Sequence, residues 1–133
     1  MQDGIKVLMK NPSPLRKRIR MLENKIERIA SYPFLPTKKQ IDSILRATEK
    51  KRSIEEILAL SEKIKRGLTE EEIIVLSMLS KGCVATDIAD ALGTTKSKAY
   101  RLAKQSVVTA QNVLFILGYD QDRLARLISN ASI

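Results

Sequence analysis

Apolar residues recur along this chain at intervals of three and four, and no stretch of strand length alternates apolar with polar. That period is the helical one, and it leaves a β-sheet without the two-residue repeat it needs to bury one face. The clearest run is Leu15, Ile19, Leu22, Ile26 and Ile29, spaced 4, 3, 4, 3. Start and stop signals punctuate the pattern. Thr37 with Gln40, Ser53 with Glu56, and Thr69 with Glu72 each have the form of a capping box, in which a hydroxyl and a carboxylate or amide three residues on satisfy the first free N–H groups of a helix. Composition agrees, because only three Tyr and two Phe occur, with no Trp. The expected fold class is all-α: a helical N-terminal region followed by a helix-turn-helix domain with an elongated recognition helix.

Charge divides the chain in two. Residues 1–67 carry 17 Lys and Arg against 8 Asp and Glu, whereas residues 68–133 carry seven of each, so the whole net charge of +9 belongs to the first half. Such a balance favours a polyanionic partner, nucleic acid above all. The expected organisation is a flexible basic arm over 1–14, a helical region over 15–67 and a DNA-binding domain over 68–133. Asn11-Pro12-Ser13-Pro14 argues for the extended arm, since closely spaced prolines break a regular helix. Helices are expected over 15–30, from Thr37, and from Ser53 to Arg66, with Tyr32-Pro33-Phe34-Leu35-Pro36 ending the first and Gly67 stopping the last. The Leu15–Ile29 stripe either packs within its own domain or forms a homodimer seam.

Several functions are disfavoured by residue counts. There is no His, which removes the commonest general base and the His-containing zinc sites. Cys83 is the single cysteine, so no intramolecular disulfide and no multi-cysteine metal site arises; a structural thiol is its expected role. Neither enzyme, nor metal site, nor cofactor is expected. The longest uncharged stretch, Gln105 to Tyr119, is short and contains Gln105, Ser106, Thr109, Gln111 and Asn112, so no membrane span is expected. The N-terminus lacks the apolar run of a secretory signal. A cytoplasmic protein fits these features.

The C-terminal half holds the constellation that bears on function. A helix from Thr69 stops at Gly82, a short helix over Ala85–Leu92 ends at Gly93, and a long helix opens at Thr94 or Thr95 and reaches Leu117-Gly118. This order is that of a helix-turn-helix, with Ile88, Ala89, Leu92 and Ala99 expected inside. Between Thr94 and Tyr119 there are four positive charges and no negative one. The extension carries its own stripe, Val107, Ala110, Val113, Leu114 and Leu117, which either packs on the N-terminal helices or forms a second dimer seam. Asp120 is expected to cap a last helix that buries Leu124, Leu127 and Ile128.

Residues 68–105 resemble the DNA-binding domain of the LuxR/GerE family of transcription regulators. The likeness lies in Leu68, Thr69, Glu72, Val75 and Leu76, in Gly82, and in Asp87, Ile88, Ala89, Leu92 and Gly93. The resemblance implies that the helix starting at Thr95 enters the DNA major groove, which nominates Thr95, Lys96, Ser97, Lys98, Tyr100, Arg101 and Lys104 for contact. The chain departs from the family at Glu71 where a basic residue is usual, at Lys98-Ala99 in place of Thr-Val, and at Leu102 in place of His. Its Leu117-Gly118 also falls about two helical turns, ~10 Å, later than in the family. Tyr100 either stacks on a base or closes the core. Lys6, Lys10, Arg16, Lys17, Arg18 and Arg20 are candidate arm contacts along phosphates or the minor groove, the alternative being a solvated basic face. The expected function is sequence-specific binding of double-stranded DNA to regulate transcription, as a homodimer. The alternatives are an adaptor for another regulatory protein and a non-specific nucleic-acid binder.

Overall fold

The computed structural model describes residues 3–34 and 36–133, and every described element is a helix. In chain order these are α1 (Asp3–Met9), α2 (Ser13–Ala30), α3 (Lys38–Arg66), α4 (Glu70–Ser80), α5 (Ala85–Leu92), α6 (Lys96–Ile116) and α7 (Gln121–Ala131). They form two compact units. Unit 1 comprises Met1–Lys10 with Leu60–Leu124, and unit 2 comprises Asn11–Ala59 with Ala125–Ile133. The division falls within α3 and α7 rather than at the charge boundary near residue 67. No described helix is long and apolar enough to cross a membrane.

In unit 1, the segment expected as a free arm is helical. Ile5, Leu8 and Met9 lie on one face at spacings of three and one, and all three are buried. This face packs on α4, and the hydroxyl of buried Ser61 donates to the Leu8 carbonyl. The prolines act after α1 rather than within it: Pro12 sits at the N-cap of α2, and Pro14 follows in the first turn, where a missing N–H costs nothing. Lys6 therefore stands on a packed helix and Lys10 directly follows it, so neither belongs to an extended arm. Met1 and Gln2 of that expected arm, and Leu35 of the expected stop, lie outside the described residues.

The rest of unit 1 is built from α4, α5, α6 and the end of α3. Thr69 caps α4 as expected: its hydroxyl accepts from the Glu72 N–H at 3.2 Å, and its own N–H donates to the Glu72 carboxylate at 3.0 Å. Val75, Ile88, Ala89 and Ala99 form a buried cluster, with Met78, Leu79, Leu92, Leu102 and Ala103 packed against it. The turn joining α5 to α6 needs Gly93, whose φ of +63° lies in the left-handed region that side chains with a Cβ enter only at a cost. Thr94 N–H then donates to the Ala89 carbonyl at 3.0 Å, which closes the end of α5.

Gly67 follows the last residue of α3 as expected, but not in the conformation of a left-handed cap. Its φ is not among the positive ones, so it is not a left-handed stop. A Cβ at Gly67 would meet the two Val113 methyl groups at 3.1 and 3.3 Å, which makes glycine the residue that lets the chain approach α6. The expected stripe of α6 is accordingly spent inside unit 1. Ala110 and Leu114 are buried, and Val107, Val113 and Leu117 are half-buried.

In unit 2, the two helices expected over residues 37–66 are one. The Thr37–Gln40 capping box opens α3, with distances of 2.8 and 3.2 Å, but Ser53 lies in mid-helix. No Pro or Gly occurs between Lys38 and Arg66, so nothing there breaks the i to i−4 ladder, and a capping-box pattern without a breaker is only a helix interior. The α2 stripe of Leu15, Ile19, Leu22, Ile26 and Ile29 is half-buried throughout, and no residue of α2 is fully buried. Lys51 links α2 to α3, with its ammonium 3.4 Å from Glu23 and 3.6 Å from Glu55. Arg18 donates to the Ser132 carbonyl at 2.9 Å.

Candidate nucleic-acid interface

The seven nominated residues open α6. Thr95 is spent locally, since its hydroxyl accepts the Lys98 N–H at 3.3 Å and so caps the helix. Lys96, Ser97, Lys98, Tyr100, Arg101 and Lys104 are all exposed, while Ala99 between them is fully buried. Tyr100, at 58% exposed, is therefore no part of the core. Buried Ala99 fixes the rotation of the helix about its axis, and so decides where each neighbour points.

Those six residues do not share one face. At about 100° per residue, with Ala99 directed inward, Ser97 and Arg101 point almost straight out, and Lys96 and Lys98 stand on opposite flanks roughly 160° apart. Tyr100 and Lys104 join Lys96 on one flank, where the Lys104 ammonium lies 5.1 Å from the centre of the Tyr100 ring. That distance is within cation–π range. Lys98 stands apart from this group.

The basic face is not neutralised from within. No ion pair to Lys96, Lys98, Arg101 or Lys104 occurs among the described residues. The nearby acids act as helix caps: the Asp87 carboxylate accepts the Val84 N–H at 3.1 Å at the start of α5, and Glu72 serves Thr69. Each is placed where the helix dipole favours an anion.

Along the Lys96 flank of α6 runs an apolar groove of about 790 Å³, closed on its other side by the α4–α5 connection and α5. Leu79, Ile88, Ala103 and Val107 line its depth, and Val84, Tyr100 and Val108 stand at its mouth, each more than half exposed. Sequence reading missed it. Val108 falls outside the helical stripe that Val107 belongs to, and Val84 reads as a turn residue. The available signal is a pair of apolar residues with no inward register to occupy.

The candidate arm cations are divided between the two units. Lys6 and Lys10 belong to unit 1, and Arg16, Lys17, Arg18 and Arg20 belong to α2 in unit 2. Unit 2 instead gathers a different basic cluster, in which Lys25, Arg46 and Lys50 surround a hollow of about 230 Å³ with Ser43, Leu22 and Ala47. Arg46 and Lys50 are like charges at i, i+4, an arrangement that opposes helix formation unless an anion joins them. A neighbouring hollow of about 380 Å³ adds Arg52 to Arg46 and Lys50, with the Glu49 carboxylate also in its lining.

Cys83 is a free, half-buried thiol. Among the described residues no three His, Cys, Asp or Glu side chains converge as a metal site would require. No family model matches the chain, and no curated protein or solved structure shows significant similarity to it.

Proposed function

We propose that unit 1 is a helix-turn-helix that binds double-stranded DNA in a sequence-dependent way, and that the protein regulates transcription from the cytoplasm without catalysing a reaction. α4 and α5 serve as the support and α6 as the element that enters the major groove. The observation that carries this reading is the first two turns of α6: an unneutralised, wholly exposed basic surface held at a fixed rotation by buried Ala99. A major groove about 12 Å wide admits one helix, presents base edges to its outward side and phosphates to its flanks. Arg101 is then the base reader, Ser97 a close neighbour of it, and Lys96 and Lys98 the contacts to the two phosphate walls. The motif likeness of residues 68–105 to LuxR/GerE regulators supports the same assignment.

We further propose a homodimer through the α2 stripe, which is amphipathic and half-exposed, because one such module reads few base pairs and a paired one reads two half-sites. The Val107–Leu117 stripe is not offered as a seam, since it is occupied within unit 1. The cluster of Lys25, Arg46 and Lys50 favours a second reading, in which phosphate contacts without sequence preference supply most of the affinity. Binding isotherms on duplexes selected from genomic fragments and on random duplexes, taken across salt, separate the two. The proposed function requires selected duplexes to be preferred by at least ~10³-fold. Equal affinity for both, with a steep salt dependence, leaves only the non-specific reading.

A further inference from the structure

We propose that the apolar groove beside α6 is the docking site for an acidic amphipathic helix of a partner protein, and that occupation of the groove and of DNA by α6 exclude each other. The second half of this statement rests on the DNA reading above, whereas the first does not.

The groove differs from the basic face in chemistry. Its depth is apolar, and no Asp or Glu is among its lining residues. A nucleic acid would leave such a surface dehydrated against sugar and phosphate, with nothing apolar to fill it. Val84, Tyr100 and Val108, at 61%, 58% and 52% exposed, are large apolar side chains that gain by being covered. From Lys96 to Val108 the groove follows α6 for about 18 Å, which is roughly three turns of a helix laid alongside. That length suits apolar anchors at i, i+4 and i+7, the usual mode for a helix seated in a groove.

Charge selects the occupant. Lys96 and Lys104 stand on the rim with no ion pair among the described residues, so the polar side of the incoming helix must be acidic to neutralise them. A second copy of this chain does not supply such a helix. Its half-exposed apolar stripe lies on α2, which carries six basic residues against two acidic ones. The exposed pair Ile41 and Leu45 lies among Lys38, Lys39, Asp42 and Arg46, the exposed Phe115 and Ile116 lie on an uncharged stretch of α6, and acidic α4 exposes Ile74 alone of its large apolar residues. The partner is therefore another protein. Because Lys96, Tyr100 and Lys104 belong both to this groove and to the DNA-facing helix, a helix seated there takes the place of one phosphate wall.

The test uses the full chain and a synthetic peptide of about 15 residues, with Leu on one helical face and Glu and Ala elsewhere. Its control has the same composition with the Leu residues scattered round the helix. Fluorescence anisotropy of the labelled peptides should show the one-faced peptide binding at least ~10-fold more tightly than the control. The near-isosteric double variant Val84→Thr, Val108→Thr, which changes no charge, should weaken that peptide at least ~5-fold while its affinity for DNA stays within ~2-fold of the wild type. The one-faced peptide should also displace DNA from the wild type. Equal binding of both peptides, or no effect of the double variant, overturns the docking site. If the peptide binds as expected and no duplex does, the DNA reading falls and the docking site stands; simultaneous binding of peptide and DNA overturns the exclusion.

Discussion

Leu8→Ala tests whether α1 is part of the folded unit or merely an arm. Leu8 is 1% exposed, beside Ile5 at 1% and Met9 at 4%, on a helix of seven residues. A helix that short has no stability of its own in water, so packing alone holds it in place. Truncating a fully buried Leu removes its transfer free energy and leaves a cavity, which together cost about 2–5 kcal/mol. In a chain of 133 residues, each kcal/mol lowers Tm by about 3–5 °C, so the variant should melt roughly 6–25 °C below the wild type. Lys10→Ala, at an exposed position just past the same helix, is the control and should change Tm by less than about 2 °C. Thermal unfolding followed by circular dichroism reads both. If Leu8→Ala melts within 2 °C of the wild type, α1 is not packed on α4, and the arm expected from the prolines is restored.

Further outcomes concern the turns and the helices they join. Gly93→Ala should cost about 1–2 kcal/mol in denaturant unfolding, because φ is +63° while nothing beyond the adjacent backbone lies within 4 Å of the new Cβ, so the penalty is local and conformational. Gly67→Ala should cost about 1–3 kcal/mol through overpacking against Val113, and Val113→Ala in the same chain should recover most of it; additive losses would show that the 3.1 Å approach does not govern this position. For the proposed homodimer, sedimentation equilibrium should give about twice the 15.0 kDa of the chain, and Ile19→Asp with Ile26→Asp should return it to the monomer mass with α6 still helical. A wild type that sediments as a monomer at high micromolar concentration removes the α2 seam.

What the sequence discloses follows from how local each signal is. Thr69 with Glu72, Gly93, Thr95 and Asp120 act on backbone groups within a few residues of themselves, and all four appear in the structure at the positions they mark, Asp120 accepting the Arg123 N–H at 2.7 Å. Ser53 fails as a helix start because the same residue pair fits a helix interior, and only a breaker distinguishes the two. The prolines at 12 and 14 are read too far backward, since a proline constrains itself and the residue before it rather than the whole preceding segment. The burial of Ile5, Leu8 and Met9 depends on α4, about seventy residues away in sequence, and no local rule contains that contact. Within the candidate interface, the residue types on α6 are legible, but their partition between flanks is fixed by Ala99, which becomes the inward reference only once its burial is known. The groove is the least legible feature, being formed by side chains that no single helix periodicity brings together.

The central claim is that α6 reads base edges through its outward side chain, and the most direct measurement is the affinity of Arg101→Ala for a selected duplex and for its single-base-pair variants. Arg101 is exposed, so the variant should keep the helicity and Tm of the wild type. Loss of a bidentate contact to guanine should weaken the selected duplex by about 1–3 kcal/mol, roughly 5- to 150-fold, and erase discrimination at one base pair while the others keep theirs. Wild-type affinity and an unchanged base preference in Arg101→Ala would contradict the account, because the outward face of α6 would then lie away from the DNA.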